Sequence, residues 1–311
     1  MGISRTISLA PYVRHLGWAS LVANIGIVVT GGAVRLTGSG LGCPTWPRCT
    51  DASFRPRGEL DIHTAIEFGN RMLTFVLTAV AIATFVAAVQ SGRRQLRRLA
   101  LVLALGVPAQ ALIGGITVLT DLNPWLVSGH LLLSMAMVGV AVLYLRRVDH
   151  PDAAWQRGPV PAFAWSLFAA AWLVLVLGTI VTGAGPHAGD AETPRNGLDT
   201  LEISQLHADA VFLLVGLTIG MVFLVWATRG RGPALSAALV LLVVEASQST
   251  IGFVQYFTDL PELLVGFHML GAGLVSATAT WTVLAVVLPA GEGTVESGRR
   301  PVDAVRPRAR T

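Results

Sequence analysis

The chain has 311 residues, 53% of them hydrophobic and only 13% charged, with a net charge of +4. A soluble domain needs about 25% charged residues to coat its surface, so a water-soluble globule is excluded. The basic surplus is explained by loop topology in a membrane-embedded chain, and no nucleic-acid partner is expected. All 22 basic residues are arginine, which excludes an amine nucleophile or Schiff-base lysine. The two cysteines, Cys43 and Cys49, are too few for a tetrathiolate centre.

About 165 hydrophobic residues, at roughly 20 per crossing, supply up to about eight spans. The first apolar run, about residues 14–33, is long enough to span and has no small-residue cleavage site, so it reads as a transmembrane helix and not a signal peptide. Further spans are predicted at about 64–89, 99–119, 125–145, 161–183, 203–228, 234–257 and 263–288. The fold class is therefore all-α integral membrane with eight transmembrane helices. Sixteen arginines fall in one set of loops, among them the Arg93-Arg94-Gln95-Leu96-Arg97-Arg98 turn and five that follow Pro289. Arg35, Arg48, Arg55, Arg57 and Arg195 fall in the other set. By the positive-inside rule both termini lie in the cytoplasm and the protein is a multi-pass protein of the cell (plasma) membrane. The long 34–62 and 184–202 loops then face outward, as do the Thr-Asp-Leu turns after the third and seventh spans. The 291–311 tail reads as disordered at the cytoplasmic surface, a topology anchor in reach of anionic membrane lipid.

An internal repeat organises the chain. Residues 110–130 align without gaps to 248–268 at an offset of 138, with nine of 21 positions identical. Upstream, 66–75 aligns with 203–212 at an offset of 137, and Val29-Thr30-Gly31 matches Val181-Thr182-Gly183 at 152. Residues 1–150 and 151–290 are thus predicted to form tandem four-helix bundles. Four spans is an even number, so the two share one topology and are related by a pseudo-twofold along the membrane normal.

Four of the seven histidines, His63, His130, His207 and His268, fall near the outer ends of even-numbered spans, and His130 and His268 are repeat equivalents. Ionisable groups inside a span are costly and mark function by default. An interhelical hydrogen bond explains one such histidine more readily than two on two helices at matched depth in a repeat. Neutral imidazoles from facing helices of a four-helix bundle suit the axial positions of a heme iron, and His207 with His268 would make such a pair. The first half breaks the symmetry, because Asn70 stands at the position of His207 and an amide is a poor iron ligand. His63, Glu67 and Asn70 share one helix face at i, i+4 and i+7.

The outer loop reads Arg35-Leu-Thr-Gly-Ser-Gly-Leu-Gly-Cys43-Pro-Thr-Trp-Pro-Arg-Cys49. Two cysteines six apart can close a disulfide or act as a redox-active thiol pair; an exposed, proline-rich setting on an oxidising face favours the disulfide. Arg35 and Arg71 at the outer rim can pair with heme propionates through a bidentate fork, or simply snorkel to the interface.

Together, the Gly-Gly-Ala-Val-Arg35 to Cys49 run, the segment Ile66-Glu67-Phe-Gly-Asn70-Arg71 and the repeated His130 and His268 segments resemble the heme A synthase family over about residues 14–288. The resemblance implies an oxidoreductase that converts heme O to heme A by oxidising the C8 methyl to a formyl group, for use in terminal oxidases. It implies heme b as cofactor on His207 and His268, and heme O as substrate in the first half with Glu67 and His130. Cys43 and Cys49 match the outer-loop cysteines of the bacterial pattern. Heme O synthase and the terminal oxidase assembly machinery are the implied partners. One departure stands out: the family commonly has Glu-x-x-His-Arg, whereas this chain has Asn70 before Arg71. His63 then either replaces the missing ligand or partner, or leaves His130 as the sole ligand of the substrate heme.

Oxidising an unactivated methyl needs an iron or another strong oxidant. Beside it, a carboxylate such as Glu67 could take a proton or stabilise a developing cation. Two other classes share part of the pattern. A di-heme b-type cytochrome relaying electrons from quinol needs the histidine pairs but not Glu67. A transporter would use the repeat, and Glu245 with Gln248 in the seventh span is its best feature, read more simply as a hydrogen-bonded helix contact.

Overall fold

The computed structural model describes residues 8–56, 61–190 and 192–289. Arg5, Arg57 and the 291–311 tail lie outside the described residues. After a short 3-10 turn at Ala10–Tyr12 come eight helices: α1 (Val13–Leu36), α2 (Ile62–Gln90), α3 (Arg94–Leu119), α4 (Pro124–Asp149), α5 (Pro159–Ala184), α6 (Thr200–Arg229), α7 (Pro233–Phe257) and α8 (Glu262–Val287). All eight are long and apolar enough to cross a bilayer, since about 20 residues suffice for its hydrocarbon core. The predicted spans fall within these helices to within a few residues.

Helix starts follow from local chemistry. Proline occupies the first turn of α4, α5 and α7, where its missing N–H costs nothing. Asp61, Asn123 and Asp199 cap α2, α4 and α6 by accepting from backbone N–H groups of the first turn. Gly230, with φ 68°, ends α6 in a conformation that a Cβ would disfavour. The α3–α4 and α7–α8 turns carry the repeat into the backbone. Asp121 and Leu122 have φ of 50° and 57°, and their equivalents Asp259 and Leu260 have 55° and 56°. Four non-glycine residues in the left-handed region at matched places show that the two turns are built alike.

Helix packing obeys the same symmetry. α1 packs on α2 and α4, and α3 on α2 and α4; α5 through α8 repeat this ring. Between the rings, α4 meets α8, α1 meets α8, and α4 meets α5. Exchanging each helix with the one four later leaves this whole set of pairings unchanged, as a twofold axis through the α4–α8 contact requires. Small residues permit the close approaches: Gly17 lies under Tyr144, Gly32 under Met269 and Gly106 under Met137. At the α4–α8 crossing the Ser276 hydroxyl donates to the Met135 carbonyl at 2.8 Å. The helices are not equally central, however. In α8, 72% of the span is buried, against 22–44% in the other seven.

The end of the bundle at which α4, α6 and α8 terminate is tied by arginines that satisfy helix C-termini. Arg146 donates through Nε and Nη2 to the Leu288 carbonyl, Arg229 to Val286, and the Gln156 N–H to Val287. Arg93 likewise reaches the Arg147 and Val148 carbonyls at the end of α4.

Candidate cofactor and substrate sites at the outer end

In the second half, His207 stands on α6 and His268 on α8, both packed around α7. Each imidazole lies over a glycine of a neighbouring helix. A Cβ on Gly178 of α5 would meet the His207 ring at 3.1 Å, and one on Gly252 of α7 would meet the His268 ring at 3.7 Å. The first half repeats half of this arrangement: a Cβ on Gly114 of α3, the equivalent of Gly252, would meet the His130 ring at 3.2 Å. The buried Nδ1 atoms of His130, His207 and His268 have no hydrogen-bond partner among the described residues. A buried polar group left unpaired needs an explanation, and here two of the three, His130 and His268, are repeat equivalents. No cluster of three His, Cys, Asp or Glu side chains that could hold a bare metal ion occurs among the described residues. Pairs of imidazoles instead suit an iron whose macrocycle brings its own nitrogens.

Asn70, at the position of His207, turns elsewhere. Its Oδ1 accepts from the Thr30 hydroxyl of α1 at 2.8 Å. Thr182, the repeat equivalent of Thr30, donates to the Gly178 carbonyl of its own helix instead. The glycine at the α1 position corresponding to Gly178, Gly26, has open space above it. The first half therefore carries a ring on one side and an amide, already satisfied, on the other.

Glu67 is 4% exposed and sits beneath the cysteine loop. Its Oε2 accepts from the Cys43 N–H at 2.5 Å, and its Oε1 accepts from Arg71 Nε at 3.1 Å and Nη2 at 2.5 Å. Arg71 also donates to the carbonyls of Cys43, Thr45 and Arg48 at 2.8, 3.0 and 3.3 Å. One charged pair on α2 thus holds the whole loop. The Thr64 hydroxyl adds a bond to the Gly42 carbonyl at 3.0 Å, and Trp46 covers Gly115 on α3. Cys43 and Cys49 form a disulfide with Cα atoms 4.4 Å apart. The setting differs from the exposed one that a proline-rich outer loop suggests. Both cysteines are at most 1% exposed, because the Glu67–Arg71 pair draws the loop down onto the helix ends.

His63 is exposed, its Nδ1 3.1 Å from the Ser39 hydroxyl. It lines an open outer cavity of about 460 Å³ with Asp61, Gly42 and Asp190. His63, Glu67 and Asn70 share a helix face, yet each is engaged by a different element. Asp61 beside them has its carboxyl held below the ordinary carboxylate range, chiefly by the His63 N–H that it caps. Arg35 links the halves: Nε donates to the His187 carbonyl at 2.5 Å and Nη2 to Thr182 at 2.7 Å. The Gly40 N–H meets the Gly189 carbonyl at 2.8 Å beside it. Neither Arg35 nor Arg71 is a free guanidinium, since both are bound to backbone carbonyls.

Sequence reasoning passed over the glycines beneath the rings. Gly114 and Gly252 are among the nine identical repeat positions, and that identity between halves was the available signal.

Residues 14–198 match the family model described as cytochrome oxidase assembly protein. The chain is 30% identical over 183 residues to a heme A synthase of Staphylococcus haemolyticus, covering 55% of this chain and 60% of that protein. It is 31% identical over 116 residues to a heme A synthase of Geobacillus kaustophilus, covering 37% and 36% of the two. A third, from Staphylococcus epidermidis, is 26% identical over 211 residues, covering 61% of this chain and 69% of that protein. The matches to the first two thus span 60% and 36% of those relatives' own length. The family model takes in the whole first bundle, α5 and the loop after it, and stops short of His207 and His268.

Proposed function

The chain belongs to the cytochrome oxidase assembly protein family, and on that premise we propose that it is a heme A synthase, an oxidoreductase that oxidises the C8 methyl of heme O to a formyl group. The observation that carries this reading is the inequality of two otherwise matched bundles. The second has two histidines on facing helices, His207 and His268, and the first has His130 with Glu67 beneath a clamped loop. A relay with two equivalent b-type hemes has no use for that difference.

In this reading His207 and His268 hold heme b, and His130 binds the substrate heme. The glycines beneath the rings and the unpartnered Nδ1 atoms support the assignment. Heme supplies the iron-centred redox chemistry that an unactivated methyl demands. The protein's own part is positioning. Arg71 and the Cys43 N–H fix the Glu67 carboxylate, leaving it able to accept a proton or lie beside a developing positive charge. The loop over α2 and α3, pinned by Trp46 and the disulfide, limits water at that end of the bundle. Asn70 supplies no ligand, and His63, bonded to Ser39 at the rim, serves the loop and its cavity.

The arginine distribution and the disulfide-bearing loop support an orientation in the plasma membrane with both termini cytoplasmic and these sites toward the outer leaflet. The bundles 1–150 and 151–290 act as substrate and heme b units.

Pigment analysis of the purified protein tests the reading. Heme b together with heme O or heme A is expected. Two hemes b and no heme O or A would assign the chain to electron relay.

A further inference from the structure

The second bundle contains a buried carboxyl with a hydroxyl partner that the first lacks. Glu245 on α7 is 3% exposed, and its Oε1 accepts from the Thr218 hydroxyl of α6 at 2.8 Å. Its Oε2 is buried with no partner among the described residues. One turn outward on α7, the side chain of Gln248 packs against Gly271 of α8, and its Oε1 is also buried and unpartnered. A proton on the free oxygen of Glu245 would relieve its unpaired acceptor.

The first bundle serves as an internal control. Carrying the repeat offsets inward, Thr218 corresponds to Ala81 and Glu245 to Val107, and these two pack in one apolar cluster. Gln248 corresponds to Gln110, whose amide donates to Ser134 at 2.7 Å and whose Oε1 is likewise buried and unpartnered; the orphan glutamine oxygen is thus common to both bundles, and the carboxyl is what sets the second apart. The backbone scaffold therefore does not need a carboxyl at this depth.

The two ends of this column of side chains differ in polarity. Leu241, Met221 and Val225, all at most 1% exposed, seal it from the inner end. Toward the outer end, Leu241, Glu245, Gln248 and Gly252 follow one face of α7, and Gly252 touches the His268 ring. Glu245 lies seven residues inward of Gly252, about 10 Å along the helix. The ionisable groups on α6 and α8, the helices packed against α7, are Glu202, His207, Asp209, Arg229, Glu262 and His268, and Tyr256 is the other one on α7. All lie toward helix ends, and none pairs with Glu245.

We propose that Glu245 is a proton store for the second-half heme site, binding one proton when the iron held by His207 and His268 gains one electron and releasing it when the electron leaves. The inference rests on the ligand assignment made above. One electron comes from a quinol or a chemical reductant and one proton from water at the outer side. An O–H bond forms at the free oxygen of Glu245, so the bilayer interior keeps its net charge. Reoxidation breaks that bond and returns the proton outward, because the inner end is closed.

Reduced-minus-oxidised infrared spectra of the purified holoprotein, with dithionite as reductant, test this. A deuterium-sensitive carboxylic acid C=O band is expected on reduction, and it is expected to vanish in Glu245→Gln while the low-spin heme absorption stays. No such band in the parent protein, or its persistence in Glu245→Gln, overturns the proposal. If Glu245→Gln does not accumulate, Thr218→Val decides, since loss of the hydroxyl donor shifts the band and an unmoved band overturns the assignment. Absence of low-spin heme b from the parent protein overturns the ligand assignment instead, so the two failures are distinct.

Discussion

Near the start of α6, His207 lies over Gly178, whereas the same place on α2 holds Asn70, bound to Thr30. Deeper in the membrane the contrast reverses in kind. The first bundle is apolar at Ala81 and Val107, and the second carries Thr218 and Glu245. Duplication supplies a common frame of helices, turns and ring-bearing glycines. Divergence then assigned one bundle a second imidazole with a buried acid below it, and the other an acid near the surface under a clamped loop. On the proposed reading, the heme that stays would have two ligands and the one that is exchanged would have fewer.

Substitutions can break this comparison. The largest effect is expected for Glu67→Gln, which keeps heme b and lowers heme A formation by about 10²-fold or more; normal heme A output on chromatography would remove Glu67 from the chemistry. Replacing His207 or His268 by Met is expected to abolish the bis-imidazole low-spin spectrum, and an unchanged spectrum would reject the pair as ligands. Arg71→Met leaves the Glu67 carboxylate buried without its cation, a change worth on the order of 3–5 kcal/mol. Thermal unfolding in detergent is expected to show that loss, with faster reduction of the Cys43–Cys49 bond as the loop lifts. Asn70→His tests whether a single residue separates the halves. A second low-spin component is expected in the spectrum, and its absence would show that Thr30 and the α1 backbone also differ in what they allow. The smallest effect concerns Asp61. Its carboxyl is lowered in the folded protein, so its capping contribution is present above the unfolded carboxylate range and fades as pH falls through the folded value. Asp61→Asn is expected to flatten the acid limb of the stability profile slightly.

Much of the architecture could be read from the residues. Hydropathy locates the eight spans, and the recurrence of Gln, Gly, Thr-Asp-Leu and His exposes the repeat. The site was only partly readable, for physical reasons. Helical periodicity put His63, Glu67 and Asn70 on one face but says nothing about which neighbour reaches each of them. That depends on how the 37–56 loop folds, and the loop has no period to follow. Arg35 and Arg71 sit where the rim suggested, yet their guanidinium groups are committed to backbone carbonyls of the outer loops. Glu245 reads as a hydrogen-bonded helix contact and is one, but its partner is Thr218 on α6, 27 residues away, which no pattern along α7 reveals.

The central position of α8 bears on how such a protein is made. This helix contacts α1, α4, α5 and α7, and its last carbonyls are gripped by Arg146 and Arg229 from two other helices. It also brings His268 and is the last of the eight to leave the ribosome. Until it inserts, α1, α4 and α5 surround a vacant seam, and His207 has no opposing ring. On the proposed assignment, the second-half site is therefore complete only once the eighth helix is in place.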